Sequence, residues 1–382
     1  MLRGSKFLSY YFVCIVQVTL FAQLPAQDSL KYFNDQAFKA LEKGDPQTDL
    51  LAEKFLDLAL KNPPGKYLVN AYTLQGILFK NKGYYLSSLD YYSKALKFAQ
   101  VQKDNRRISA CYNNIAAVYQ LQSNYNKAIE YYNQSLLFEQ KFGDQTQLSI
   151  RYFNLGECYN DLDSLDLALS YYNSSLILEK KNRFTEGIVL AEQGIASVYL
   201  KLDKLKDAAA LLLKNAVLVG SLNTEAQLKQ GLLQSILESK SGNLQEAVKL
   251  LEEALRLSES KEFRTLKLEL LRERITVLKR FKGQAERLNG AYDEYITFLE
   301  WYDRYNAKNR LDDLTFRDEL SKKQLLIDLA EQKKNLAETK RKEEYNLRVY
   351  SQKMVFFSIF LLVFILVMVI YGVRRIGKRR EL

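Results

Sequence analysis

The chain has 382 residues and no histidine, which removes the commonest general base and the commonest metal ligand. Its formal charge of +11 gathers at the two ends, on Arg3 and Lys6 and on Arg374, Arg375, Lys378, Arg379 and Arg380. Between Gln27 and Lys353, 49 basic face 44 acidic residues, so the basic balance points to membrane topology rather than to a nucleic-acid surface.

The four prolines are Pro25, Pro46, Pro63 and Pro64, so nothing beyond Pro64 is obliged to break a helix. Helix-forming Leu, Ala, Lys, Glu and Gln abound, and the expected class is all-α. Of the three cysteines, Cys14 falls in the N-terminal apolar segment. Cys111 and Cys158 fall at different depths of neighbouring repeats, as two buried thiols that act as small apolar residues.

Residues 1–26 read as an export signal, with Arg3 and Lys6 before the apolar core Phe7 to Ala22 and a cut near Ala22 or Ala26. Residues 27–66 read as an N-terminal capping helix pair, with a turn at Gly44-Asp45-Pro46 and a stop at Pro63-Pro64-Gly65. Residues 67–258 then repeat on a step of 40. Tyr72, Tyr112 and Tyr152 keep it, as do Tyr119, Tyr159 and Tyr199 and the doublets Tyr91-Tyr92, Tyr131-Tyr132 and Tyr171-Tyr172. A fixed period of this size marks stacked units that bury their apolar faces against neighbours. Small residues recur at two places in each unit: Gly76, Ala116, Gly156 and Ala196, and Ser88, Ala128, Ala168 and Ala208. They predict two helices per unit in close approach, with aromatic rings beside the contact; the second ring of each doublet reads as core. Turns are expected at Lys82-Gly83, Ser123-Asn124, Asp163-Ser164, Asp203-Lys204 and Gly242-Asn243, and a second set at Phe142-Gly143-Asp144 and Gly220-Ser221.

Residues 259–306 read as a degenerate last repeat that caps the stack. Residues 307–353 turn polar and read as a charged helical stalk, a possible coiled coil with Leu325, Leu329 and Leu336 on its seam and homodimerisation as one outcome. Residues 354–373, an uncharged run from Met354 to Val373, have the length of a transmembrane helix, and residues 374–382 form a basic tail. An export signal followed by a stop-transfer run would place the repeats outside the cytoplasm and the tail inside it.

The order Leu155-Gly156-Glu157-Cys158-Tyr159, then Ala168, Tyr172, Ser175 and Leu176, resembles the tetratricopeptide repeat. That family's usual period is about 34, shorter than the step here. The resemblance implies a superhelix of antiparallel helix pairs, an α-solenoid whose first helices line a concave groove. By the family's pattern the groove-facing residues are Asn70, Thr73 and Lys80; Asn113, Ala117 and Gln120; Phe153, Glu157 and Asn160; and Gln193 and Ser197. Such an amide-rich lining suits the backbone of an extended peptide. The basic clamp of the family's chaperone-tail binders is not matched, since its positions hold Thr73, Asn113, Phe153, Gln193 and Leu232.

Taken with signal, stalk, span and tail, the whole resembles the periplasmic part of bacterial repeat-containing sensor histidine kinases or helix-turn-helix regulators, without an output domain. It implies a single-pass protein of the bacterial inner membrane. Two functions follow: a membrane-anchored, non-enzymatic scaffold that takes a protein or peptide in its groove, or the sensory input module of a signalling receptor whose output lies elsewhere. No triad, paired-carboxylate motif, phosphate loop or metal spacing is present in the sequence, so catalytic residues, metal and cofactors are all expected to be none, and no nucleic acid is expected as partner.

Overall fold

The structure, a computed structural model, describes residues 26–62, 65–142, 145–259 and 263–380. Every element assigned among them is a helix. The helices pair as α1 (Ala26–Glu42) with α2 (Thr48–Lys61), α3 (Lys66–Asn81) with α4 (Tyr85–Val101), and α5 (Asn105–Leu121) with α6 (Tyr125–Phe142). Next come α7 (Gln145–Asp161) with α8 (Leu165–Asn182), α9 (Thr185–Lys201) with α10 (Leu205–Val219), and α11 (Thr224–Ser241) with α12 (Leu244–Leu257). Last are α13 (Arg264–Leu278) and the long α14 (Ala285–Arg380). The chain divides into two compact units, Met1–Leu314 and Thr315–Leu382.

The five repeats turn by the same device. At the first repeat Tyr84 N–H donates to Phe79 O (2.8 Å) and Gly83 N–H to Lys80 O (2.9 Å), the two bonds of a Schellman helix end. The same pair of bonds recurs at Ser123-Asn124, Asp163-Ser164, Asp203-Lys204 and Gly242-Asn243. The left-handed residue this end requires is glycine at Gly83 and Gly242, but Ser123, Asp163 and Asp203 at the others. Of the second set of expected turns, residues 143–144 lie outside the described residues, and Gly220 closes α10.

Packing within the repeats follows the alternation of large and small. Tyr92, Tyr132 and Tyr172 are fully buried, and Ser88, Ala128, Ala168 and Ala208 are 0% exposed beside them. A Cβ on Gly156 would lie 2.7 Å from the Tyr172 ring, and one on Gly194 would lie 2.5 Å from it. The missing side chains are therefore what lets the helices close on that ring. The first ring of each doublet is half-buried and stacks on its own repeat's first helix: Phe79–Tyr91 at 5.2 Å, Tyr119–Tyr131 at 5.5 Å, Tyr159–Tyr171 at 5.4 Å. The final repeat buries Leu270, Leu271, Ile275 and Ala291, with Leu288, Tyr292 and Tyr295 packed against them.

First helices touch the next first helix throughout α3–α5, α7–α9, α9–α11 and α11–α13, while no second helix approaches the next second helix comparably among the described residues. First helices thus crowd together on the inner side of the stack, which makes that side concave.

One sequence expectation falls outside the described residues, and one is corrected. The expected export signal, residues 1–26, lies outside the described residues apart from Ala26, which opens α1. The expected transmembrane helix at Met354–Val373 is overturned: among the described residues, no helix is long and apolar enough to cross a membrane. A span needs about 20 consecutive apolar residues. The helix that carries this run, α14, is charged along its length up to Lys353. The inner-membrane placement, with exported repeats and a cytoplasmic tail, rested on that span and goes with it. In the second unit Leu329 and Leu336 are 44% and 58% exposed, and the side chain of Leu325 lies outside the described residues.

Candidate functional site

The inner face is built from the first helices, and charged groups of α7, α11 and α13 meet on it. Lys229 on α11 reaches past α9 to Glu157 on α7, with Nζ 2.9 and 3.1 Å from the two carboxylate oxygens. Tyr172 O–H donates to the same carboxylate at 2.5 Å. The Lys229 ammonium also lies 5.5 Å from the centre of the Phe153 ring. Burial works against the charge on Lys229, but Glu157 outweighs it and holds the lysine above its ordinary value.

Around this ion pair stand carboxylates that water reaches although protein crowds them. Asp161 is pushed up to about 6, first by burial and then by Glu157, against the pull of Lys201 and Lys229. Glu269 on α13 is raised by burial, opposed by Lys229. Glu273, one turn further, is pushed up to about 6 by burial against Arg280 and Lys240. Lys80 at the other end of the groove is lowered by burial. Charges that are accessible but poorly solvated are those of a concave wall rather than of an open helix face.

The residues expected in the groove take varied places. Asn160 donates to Ser197 Oγ at 3.3 Å, so these two meet across α7 and α9. Asn113 accepts from Asn154 at 3.3 Å, and Gln120 accepts from Tyr132 O–H at 2.8 Å. Asn70 donates to Asn34 at 2.8 Å and accepts from Arg107 Nε at 3.2 Å. Phe153 lies 5.7 Å from Tyr172, centre to centre, and Thr73 is half-buried on α3. Ala117 is half-buried on α5. Gln193 is 0% exposed, with its amide donating to Ala226 O and Gln230 between α9 and α11. Counted from unit starts at Val69, Ser109, Ser149, Val189 and Leu228, Lys229 and Asp161 hold the second and thirteenth places, and the family's pattern has its second, fifth, ninth, twelfth and thirteenth places face the groove. Glu269 lies in the degenerate repeat, where the pattern fades.

One further wall has no local signal. The start of α14 faces the turn of the first repeat. Two adjoining cavities, of about 550 and 510 Å³, both lie against Gly83, Tyr85, Leu121, Tyr302 and Asn306. Lys80 lines the second.

Burial pushes the thiols of Cys111 and Cys158 up to about 12, which leaves both without a nucleophilic thiolate. Among the described residues no group of three His, Cys, Asp or Glu side chains could hold a metal ion.

The tetratricopeptide repeat family matches residues 67–136. Among solved structures, the apo form of RapI aligns with a TM-score of 0.60 at 13% identity, over 73% of this chain and 99% of that one. A Rap protein complexed with competence and sporulation factor aligns at 0.59 and 16% identity, over 75% and 81%. NprR in complex with its cognate peptide NprX aligns at 0.56 and 17% identity, over 76% and 84%. These likenesses are of fold. No curated protein matches the chain. The expected resemblance to the exported, single-span part of sensor kinases is corrected accordingly: the similar structures include Rap and NprR proteins and a signal-transduction ATPase with a tetratricopeptide repeat sensor from Pyrococcus horikoshii (0.51, 16% identity, 74% of this chain and 44% of that one).

Proposed function

We propose that this chain is a non-enzymatic input module of a signalling system, which receives a peptide or an extended protein segment in its concave groove. The observation that carries the reading is the Glu157–Lys229 pair, set among accessible, crowded carboxylates on the inner face. Such groups gain from a ligand that supplies its own hydrogen bonds and charge, because they are already partly stripped of water. Support also comes from two structures of similar fold, a Rap protein complexed with competence and sporulation factor and NprR in complex with its cognate peptide NprX. Asn113, Glu157 and Asn160 are the residues proposed to meet the ligand backbone, with Asn70, Thr73, Lys80, Ala117, Gln120, Phe153 and Ser197 along the same face.

A random dodecapeptide library displayed on phage, panned on the purified chain, tests this. Enriched sequences should lose about tenfold or more in recovery when Asn113 and Asn160 are both alanine, a drop of about 1.4 kcal/mol, while the helical circular dichroism is kept. Undiminished recovery would remove the groove as the binding site.

A further inference from the structure

We propose that the groove is closed from within by a strap, residues 302–313 of α14, and that this strap regulates what the groove can take. The inference rests on the groove reading given above.

The lock is a helix cap supplied from 227 residues away. Helix α4 begins after Tyr84, whose side chain makes no capping bond. Asp313 fills that role: Leu86 N–H donates to its Oδ2 at 2.8 Å, Ser87 N–H to its Oδ1 at 3.2 Å, and Ser87 O–H also donates to Oδ1. Asp313 is only 2% exposed. Two free N–H groups, a hydroxyl and the positive end of the helix dipole all meet one carboxylate. The serine is particular to this repeat, since the equivalent positions hold Lys127, Leu167 and Asp207. One helical turn earlier, Asn309 is 9% exposed, and its side-chain amide nitrogen lies 2.6 Å from where a Gly83 Cβ would stand. That nitrogen is buried without a hydrogen-bond partner among the described residues, so the strap is held at Asp313 and only pressed into place at Asn309. Further back, Tyr305 stacks under Arg264 of α13 at 4.2 Å.

Tyr302, Asn306, Asn309 and Asp313 follow one another at steps of four, three and four, so they form one stripe of the helix. Tyr302 and Asn306 of this stripe share a cavity with the turn residues Gly83 and Leu121 and with Lys80 of the groove. A ligand entering there has to lift it. The bond set is strong enough to hold and local enough to break in one step.

Two experiments on the full chain decide this. Asp313→Ala should speed amide exchange at Leu86 and Ser87 by about fivefold, the equivalent of a lost cap of about 1 kcal/mol; unchanged exchange there overturns the lock. In Gly83→Cys with Asn309→Cys the two Cβ atoms would stand 3.6 Å apart, within reach of a disulfide. The left-handed conformation at Gly83 accepts a side chain, as Ser123 and Asp163 show at the matching turns. The oxidised form should capture about tenfold less of the displayed peptide library than the same protein reduced, and Asp313→Ala should capture more than the parent. Equal capture by oxidised and reduced protein overturns the regulation and leaves the groove reading intact. A library that enriches nothing on any form sinks the groove reading and the regulation with it, and the exchange result still decides the lock.

Discussion

The second and third repeats, α5–α6 and α7–α8, are the same object built twice, yet their buried seams differ at two places, where Gln147 and Arg151 are answered by Gly187 and Ala191. Where α5 and α6 meet α7, Ser109 donates to Glu139 at 2.6 Å, Arg151 Nε donates to Ser135 at 2.8 Å, and the Arg151 guanidinium stands 4.0 Å from Glu139. Where α7 and α8 meet α9, Ser149 donates to Glu179 in the same way, but the position of Arg151 is held by Ala191. One oxygen of Glu179 is left without a hydrogen-bond partner among the described residues. Gly187 makes room for that side chain, since a Cβ there would strike it. The repeat template therefore fixes where a carboxylate is buried and leaves its partner to each junction.

The sharpest way to break this comparison is to neutralise both acids. Glu139→Gln strands a buried guanidinium and should cost about 3–5 kcal/mol. Glu179→Gln removes a charge that has no cation in the matching place and should stay within about 1 kcal/mol of the parent or gain. Chemical denaturation of the two variants checks it, and equal losses would mean that the seams are electrostatically alike. Next in size is the small residue under the tyrosine. The second repeat has Ala116 and the third has Gly156; Gly156→Ala drives a methyl into Tyr172 and should cost about 1–3 kcal/mol. A melting temperature that does not fall would show that the ring can retreat.

Turn substitutions come third. Ser123→Gly relieves a left-handed serine and should stabilise by about 0.5–1 kcal/mol. Asp163→Gly should gain less, because Asp163 also pairs with Lys201 at 2.8 Å. Thermal melts of the two variants would rank them, and the reverse order would sink this reading of the turns. The smallest effect concerns the groove end, where the third repeat has Asp161 and the second has Leu121. The folded value of Asp161, about 6, lies above its unfolded value. Its contribution is therefore full below the unfolded value of about 4 and is lost as pH rises through the folded one. Asp161→Asn should gain in melting temperature relative to the parent between about pH 4 and pH 7, and a difference that does not move with pH would remove the crowding argument.

Much of the solenoid could be read from text because its causes are local and periodic. Turn residues, small residues and the inner tyrosines each act within one hairpin or between neighbours. The groove was legible as a rule of positions, which includes Lys229 and Asp161, better than as a selection of residues; Gln193 obeys the rule and sits buried between helices. Asp313 was not legible, because its partners at Leu86 and Ser87 are fixed only by the course of the whole stack. The apolar run at Met354–Val373 was misread for the opposite reason, since a run of apolar letters was taken as sufficient for a span.

Tyr172 carries one consequence beyond packing. Its ring is gripped by Gly156 of its own repeat and by Gly194 of the next, so the third and fourth repeats share one wedge. Pulled from either end, such an array would unravel hairpin by hairpin as far as this ring and then stall, with the two pairs on either side of it parting only together.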